Sequence, residues 1–387
     1  MVVNKNSLVL LQLSLIEGVG PRTVFSLLAS MMGLLTTDFS IDKHQTYTID
    51  LNLLYQFNVA DFLRHAVSIK MAQKIVDGLA EFDQVEKILV EMEKHQIRWV
   101  SLFDAEYPAL LQQINTPPLG FYIKGAQLNN SKVHLGIVGS RMAGAYAQRV
   151  IDSVVAPLVA SGAVLVSGGA LGVDSMAHRL SVQYQKPTIV LLGSGLLSLY
   201  PRQNVLLFDQ ILAMGGSLIS SFSLHTGPDR FNFPVRNRII AGMSHAVLVV
   251  QAAAKSGALI TAEYALQEGR NVMAIPGAID DPLSAGCHAL LKQGATLITS
   301  YDDLCFEMGF EQQKNTDTSV EAEQQEVLFY PAQKEKDPLL MALGIPHHVE
   351  SLACKLNLSM DELEDRLFAL QLDGMVTQRI DGSWVSV

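Results

Sequence analysis

A chain of 387 residues exceeds one ordinary hydrophobic core, so two or three domains are expected. With 49% hydrophobic and 17% charged residues, the composition is globular. The formal net charge of −10 speaks against nucleic acid only as an average: residues 130–300 hold 12 Lys and Arg against 8 Asp and Glu, while residues 301–387 hold 6 against 17. Cys287, Cys305 and Cys354 lie far apart with no C-x-x-C pair, which suits a reducing compartment and argues against a zinc site or a disulfide framework. No apolar stretch is long enough for a membrane span, and the first residues lack a small-residue cleavage site, so a soluble cytoplasmic protein is expected.

In chain order, residues 1–105 read as an N-terminal helical domain with few β-branched runs. Within it, "IEGVGPRTVFSLLA" places a Gly18-Val19-Gly20 turn before Pro21 at a helix start. That turn has two readings. It joins two core-packing helices, or it is half of a helix-hairpin-helix whose backbone amides approach phosphate.

Residues 106–310 read as an α/β core. The runs "VHLGIVGS", "AVLVSGG", "TIVLLGSG", "SLISS", "AVLVVQA" and "NVMAIPG" are short, nearly continuous in apolar residues, and end in Gly, Ser or Ala. Helical stretches at 143–160, 173–184, 203–214, 235–243 and 259–268 separate them. This alternation predicts a mostly parallel sheet covered on both faces, with ligands at the carboxyl ends of its strands. Residues 311–338 are polar and acidic and read as a linker. Residues 339–387 follow with "PHHVESLACKL", a turn, "MDELEDRLFALQLDG", and a hairpin turning at Asp381-Gly382; Ser359 and Glu362 fit a capping box. Helix-turn-helix plus hairpin is a winged-helix pattern.

The expected strand ends carry the chemistry. Gly139-Ser140-Arg141 follows the first strand, Ser167-Gly168-Gly169 the second, and Gly193-Ser194-Gly195 the third, leading to Arg202 and Asn204. "FNFPVRNRIIAG" lies between the fourth and fifth, and Lys255-Ser256-Gly257 follows the fifth. Glycines there expose amides that can cradle an anion, and arginine forks grip phosphate in bidentate fashion. Arg141, Arg202, Arg236 and Arg238 are therefore expected as phosphate contacts, with Asn204 and Asn237 as hydrogen-bonding supports. Phe231 and Phe233 read either as core residues or as rings on which a base stacks; beside the arginines, Phe233 is placed to meet a base. Asp174 and His178, at i and i+4, read as an acid–base pair or as a helix cap and a satisfied core histidine; the second reading is the one carried forward. No dinucleotide loop, P-loop, G-x-S-x-G or H-E-x-x-H is present, so no catalytic residue, metal or cofactor is expected.

Taken together, "GSR", "VSGGALGVDSMAH", "YPRQN", "FPVRNRIIAG", "SGALITAEYALQEGRNVMAIPG" and "GCHALLKQGATLI" closely resemble the DNA-processing protein A (DprA, or Smf) family, in family order over about 170 residues. The resemblance implies a Rossmann-like core that binds single-stranded DNA, dimerises, and loads the RecA recombinase in natural transformation. It also implies an N-terminal helical domain of helix-hairpin-helix or SAM-like type and a C-terminal winged helix. The chain departs from the family at Ser220-Ser221-Phe222, where an "ISE" acid is expected. The expected function is a sequence-neutral single-strand binder, homodimeric through the core and not an enzyme. The alternative is a nucleotide-processing enzyme of the phosphoribohydrolase-like Rossmann class, but "IPGAIDDP" lacks that class's threonine and glutamate. A third reading is an adaptor acting through the acidic winged helix.

Overall fold

The structure, a computed structural model of the chain, describes residues 4–33 and 49–310, then 339, 349–356, 359–360, 363, 366–367, 370, 376–378 and 384–386. It divides into two compact units, Met1–Gln313 and Lys314–Val387.

The first unit opens with α1 (Lys5–Leu15), capped by the Asn4 side chain, which accepts from the Asn6 amide. After a turn in which Gly18 takes φ +87°, Pro21 starts α2 (Pro21–Met31) at the position where a missing N–H costs nothing. A 3₁₀ turn (Leu51–Gln56), α3 (Val59–Arg64), α4 (Ile69–Ala80) and α5 (Phe82–Lys94) complete the helical part. Gln12, buried on α1, donates to Gly78 O and Leu79 O at 2.9 and 3.0 Å and accepts from the Tyr55 hydroxyl. These helices do not form a core of their own. Val9, Leu10, Val24 and Leu28 pack in the same cluster as Val100, Leu111 and Phe121, so the boundary expected at residue 105 falls inside one unit.

The sheet begins earlier than the sequence suggests, with β1 (Ile97–Ser101). Then come α6 (Ala109–Gln112), β2 (Gly120–Gly125) and β3 (His134–Val138). Next, α7 (Ala145–Val150) runs through a π turn (Ile151–Val155) into α8 (Ala156–Ala160), followed by β4 (Val164–Ser167), α9 (Val173–Gln183) and β5 (Thr188–Leu191). A 3₁₀ turn (Arg202–Asn204) leads to α10 (Val205–Ala213), β6 (Ser217–Ser220), α11 (Asn232–Met243) and β7 (Ala246–Val249). The unit closes with α12 (Gly257–Gln267), β8 (Asn271–Ala274), α13 (Ala285–Lys292), β9 (Thr296–Leu297) and α14 (Tyr301–Met308).

The strands form one sheet in the order β1-β2-β6-β5-β4-β3-β7-β8-β9. From β6 to β9 all pairings are parallel; β1–β2 and β2–β6 are antiparallel. Side chains alternate between the faces. Leu135, Ile137 and Leu165 pack with α7–α9 and α14, while Val138, Val164 and Val166 pack with α11 and α12. Covering both faces is what makes β3, β4, β5 and β7 wholly buried and their sequences continuously apolar. The six expected strands are present, and β1, β2 and β9 are additions. From β3 the chain steps outward through β4, β5 and β6, then returns to β7 on the other side. The topological switch point therefore lies between β3 and β7, where a crevice opens at the carboxyl ends of the strands.

In the second unit, α15 (Val349–Leu356) and the antiparallel pair β10 (Val376–Gln378) and β11 (Trp384–Ser386) bury Leu352, Leu363, Leu367, Val376 and Trp384 around Leu339. The linker at 311–338, the turn at Asp381-Gly382 and the acidic side chains of Asp361, Glu362, Glu364 and Asp365 lie outside the described residues.

Candidate nucleic-acid interface

A cavity of about 410 Å³ occupies the switch point. Gly139, Ser140 and Arg141 from the end of β3 form one wall, and Lys255, Ser256 and Gly257 from the loop after β7 form another. Phe233, Arg236 and Asn237 of α11 form a third. Nine of the fifteen residues expected at the site thus converge on one space. A smaller extension beside it adds Gly168, with Tyr200, Pro201 and Gln203. The N-terminal ends of α9, α11 and α12 also reach the cavity, through Asp174, Phe233 and Ser256, and aligned peptide dipoles make such ends favourable to negative charge. Ser256 caps α12, its side chain accepting from the Ala258 amide.

Arg141 is exposed and stands 5.1 Å from the centre of the Phe233 ring. The Arg236 guanidinium lies 5.7 Å from the same ring. Two cations therefore flank one aromatic ring, within the distance at which the ring quadrupole attracts them. Arg236 is only 5% exposed and donates from Nη1 to Leu191 O at 3.1 Å. Its guanidinium sits on Gly168 so closely that a Cβ there would fall 1.4 Å from Nη1. Gly193 is the counterpart for Phe233, whose ring lies 2.9 Å from where a Cβ would stand. Val173 fills the equivalent space at Gly139. At these strand ends the glycines make room for neighbouring side chains. Gly257, with nothing within 4 Å of its Cβ position, keeps an open backbone.

Beneath the crevice lies a buried polar layer. Asp174 is 7% exposed and accepts from the Ala170 amide at 3.2 Å. Burial raises its carboxyl above the ordinary range, and the Arg236 charge pulls it part of the way back. Burial likewise lowers the Arg236 guanidinium, which the Asp174 charge opposes. Asn204 donates to Gly169 O, Ala170 O and Ser175 Oγ, and so holds the 168–170 loop from below. The Ser167 hydroxyl donates to Ile137 O at 2.6 Å. Asn204 and Ser167 support the rim and do not line the cavity, while Asp174 lies at its floor.

His178 is fully buried. Thr188 Oγ1 donates to Leu165 O, so it accepts from His178 Nδ1–H at 2.9 Å, which leaves Nε2 as the bare nitrogen. Burial first, and the Arg236 charge second, push this imidazole down to about 3. The histidine stays neutral inside the core and is sealed from any substrate. Asp174 accepts from the loop before α9 and does not cap that helix, whose N-cap is Gly172 with no side-chain bond. The helix-cap reading is thus corrected, while His178 is the core histidine of that reading, with one ring nitrogen unpartnered.

Two of the expected phosphate arginines lie elsewhere. Arg238 turns away from the crevice, donating from Nε to Glu268 Oε1 at 3.3 Å and from Nη2 to Thr116 O at 2.7 Å. Residues two apart on a helix point about 200° apart, given 3.6 residues per turn, so Arg236 and Arg238 cannot share a rim. Arg202 is exposed on its 3₁₀ turn and lines neither cavity. Sequence reasoning missed Arg230, which is exposed, lines the crevice, and stacks 4.7 Å over the 68%-exposed Phe231. The signal was present: Arg230 is the residue before the two-phenylalanine loop.

A mostly parallel sheet with a cationic, ring-bearing crevice at its switch point defines a Rossmann-like α/β protein. Residues 98–309 match the family model of DNA recombination-mediator protein A, and the chain belongs to that family. It is 37% identical over 228 residues to DNA processing protein DprA of Bacillus subtilis (strain 168), covering 59% of this chain and 76% of that one. It is 39% identical over 204 residues to protein Smf of Escherichia coli (strain K12), covering 53% and 54%. The X-ray structure of DprA from Streptococcus pneumoniae matches with a TM-score of 0.62 at 29% identity, covering 79% of this chain and 99% of that one. The family read from the motifs is thereby established.

Proposed function

We propose that this chain binds single-stranded DNA in the crevice between β3 and β7, without sequence preference and without turnover, and passes the strand to the RecA recombinase in natural transformation. The observation that carries this reading is the placement of Arg141 and Arg236 about the Phe233 ring inside one cavity. Guanidinium groups answer phosphate, and an aromatic face accepts any base because every base has a π-face. A base stacked and paired in a duplex has no free face to offer a ring inside a cavity, which favours single strands. The names of the relatives, DNA processing proteins, support DNA as the ligand. Binding without turnover is supported by the sealed state of His178 and by Asp174 accepting from the Ala170 amide. Among the described residues no group of three metal-binding side chains occurs, and no helix is long and apolar enough to cross a membrane. We further propose a cytoplasmic location, as a hand-over to RecA would require.

Fluorescence anisotropy with labelled oligo-dT, single- and double-stranded, over a salt series tests the reading. The logarithm of affinity for the single strand should fall at roughly 0.7 per neutralised phosphate, and duplex should bind more weakly. Arg141→Ala should lower affinity for every sequence alike and flatten that slope by about one phosphate's worth. Salt-independent binding, or equal binding to duplex, would remove the crevice from consideration.

The same proposal assigns the acidic C-terminal unit a secondary part. Residues 311–387 hold 6 Lys and Arg against 14 Asp and Glu, and phosphate is repelled by such an excess of negative charge. A chain ending at residue 310 should therefore keep its single-strand affinity to within tenfold, about 1.4 kcal/mol. We further propose that two cores pair around a two-fold axis, because one crevice is short and a loader gains from a second one at high effective concentration. Sedimentation equilibrium of the 1–310 chain should show a dimer at micromolar concentration. A strict monomer with full affinity would leave a single-crevice binder. Stimulation of RecA assembly on the bound strand, compared with Arg141→Ala, reads the hand-over itself.

A further inference from the structure

The crevice has a neighbour. On the other side of α11 a cavity of about 560 Å³ opens between the Gly18–Thr23 turn, the loop before β2, and the end of β6. Its size is within the roughly 300–1,000 Å³ of ligand clefts. We propose that this second cavity takes a further nucleotide unit of the strand held in the crevice, so that α11 is straddled by one continuous strand. The proposal rests on the reading of the crevice as a single-strand site.

Three observations carry it. The first is charge. Arg22 is exposed at the cavity's edge, and among the described residues no carboxylate lies within ion-pairing distance of it. Arg238, deeper in, is held flat by Glu268 and the Thr116 carbonyl, with Nη1 given no protein acceptor among the described residues. A fixed guanidinium with a remaining donor edge suits a phosphate oxygen. The second is lining. Phe222 and Tyr264 are half-buried there, so the same cavity holds aromatic surface as well as the two arginines. The third is continuity. Pro234 lines the crevice and Val235, the next residue and half-exposed, lines the second cavity. The two spaces are thus one helix width apart, roughly 10 Å, a gap that a strand longer than a dinucleotide can bridge. A free mononucleotide shares this chemistry, so the test separates it from the strand.

The experiment measures anisotropy with full-length protein and oligo-dT of two nucleotides, too short to reach across α11, and of about 16 nucleotides, long enough to fill both cavities. Arg22→Glu and, independently, Val235→Trp should each lower affinity for the longer strand about tenfold and leave the shorter one unchanged. Arg22→Glu should also flatten the salt slope for the longer strand by roughly 0.7. Val235→Trp alters no charge and fills the space, so it distinguishes occupancy from long-range repulsion. If Arg22→Glu acts and Val235→Trp does not, or if both strand lengths suffer equally, the second cavity does not hold the strand. Saturable binding of thymidine monophosphate that Val235→Trp abolishes, with longer-strand affinity intact, overturns the proposal in favour of a free nucleotide. Arg141→Ala keeps the two readings apart. If it fails to weaken either strand, the crevice reading fails. If it weakens both while Arg22→Glu weakens neither, only the second cavity falls.

Discussion

Replacing Arg236 by methionine should destabilise the protein by about 1–3 kcal/mol, the usual cost of leaving a buried acceptor without its donor. Methionine fills much of the arginine's length but offers no donor to Leu191 O and no charge to Asp174. The Asp174 carboxyl, already raised by desolvation, then loses the Arg236 charge that pulls it back and rises further. A group whose folded value lies above its unfolded one loses stability as pH rises through the folded value. The deficit of Arg236→Met should therefore grow from acid to alkaline pH. Urea unfolding at pH 5 and pH 8 measures this directly. Adding Asp174→Asn to Arg236→Met should recover a large share of the loss, because an amide has no charge to strand. If the single variant unfolds within 1 kcal/mol of wild type, the guanidinium is not the structural member described above.

His178 sets the second large effect. Its imidazole is held at about 3 inside the fold, against an ordinary 6.5. Such a group contributes stability that is fully present above pH 6.5 and is lost as pH falls toward 3, since the unfolded chain takes up the proton and the folded one refuses it. At about 1.4 kcal/mol for each tenfold difference, the loss reaches on the order of 4–5 kcal/mol at pH 3 and about 2 kcal/mol at pH 5. Asp174 works the other way, since its raised carboxyl favours the folded chain as pH falls. The comparison with His178→Gln isolates the histidine. Between pH 7 and pH 5, wild type should lose about 2 kcal/mol more than the variant. Parallel profiles would mean that the imidazole does not resist protonation. His134 and His245, both lowered by burial, contribute equally to the two proteins.

What the sequence disclosed and what it hid follow from where side chains go. Strands buried on both faces announce themselves as continuous apolar runs, so β3 to β8 were legible. β1 was not: Arg98 interrupts it, and it follows a helix with only two residues between. Antiparallel β2 joins the sheet beside β6, from far along the chain, and β9 is two residues long. At the site, strand-end motifs pointed to Arg141, Phe233 and Lys255, which the fold brings into one crevice. The direction of each arginine depended on tertiary detail. Arg236 dives inward because Gly168 leaves space and Leu191 offers a carbonyl, while Arg238 is drawn off by Glu268. Helical periodicity alone already separates those two arginines, once the helix is known to start at Asn232.

The contact between Gly168 and Arg236 makes two positions, 68 residues apart in the chain, a single unit of inheritance. Any side chain at 168 must evict the guanidinium, and eviction sends a long cation outward into the crevice while uncovering Asp174. A lineage that keeps the arginine is thus committed to glycine at 168. One that abandons the glycine must also shorten or neutralise position 236, and then Asp174 as well. Across chains sharing this fold, positions 168, 174 and 236 should consequently change as a set, visible as covariation even where each looks invariant within a close group.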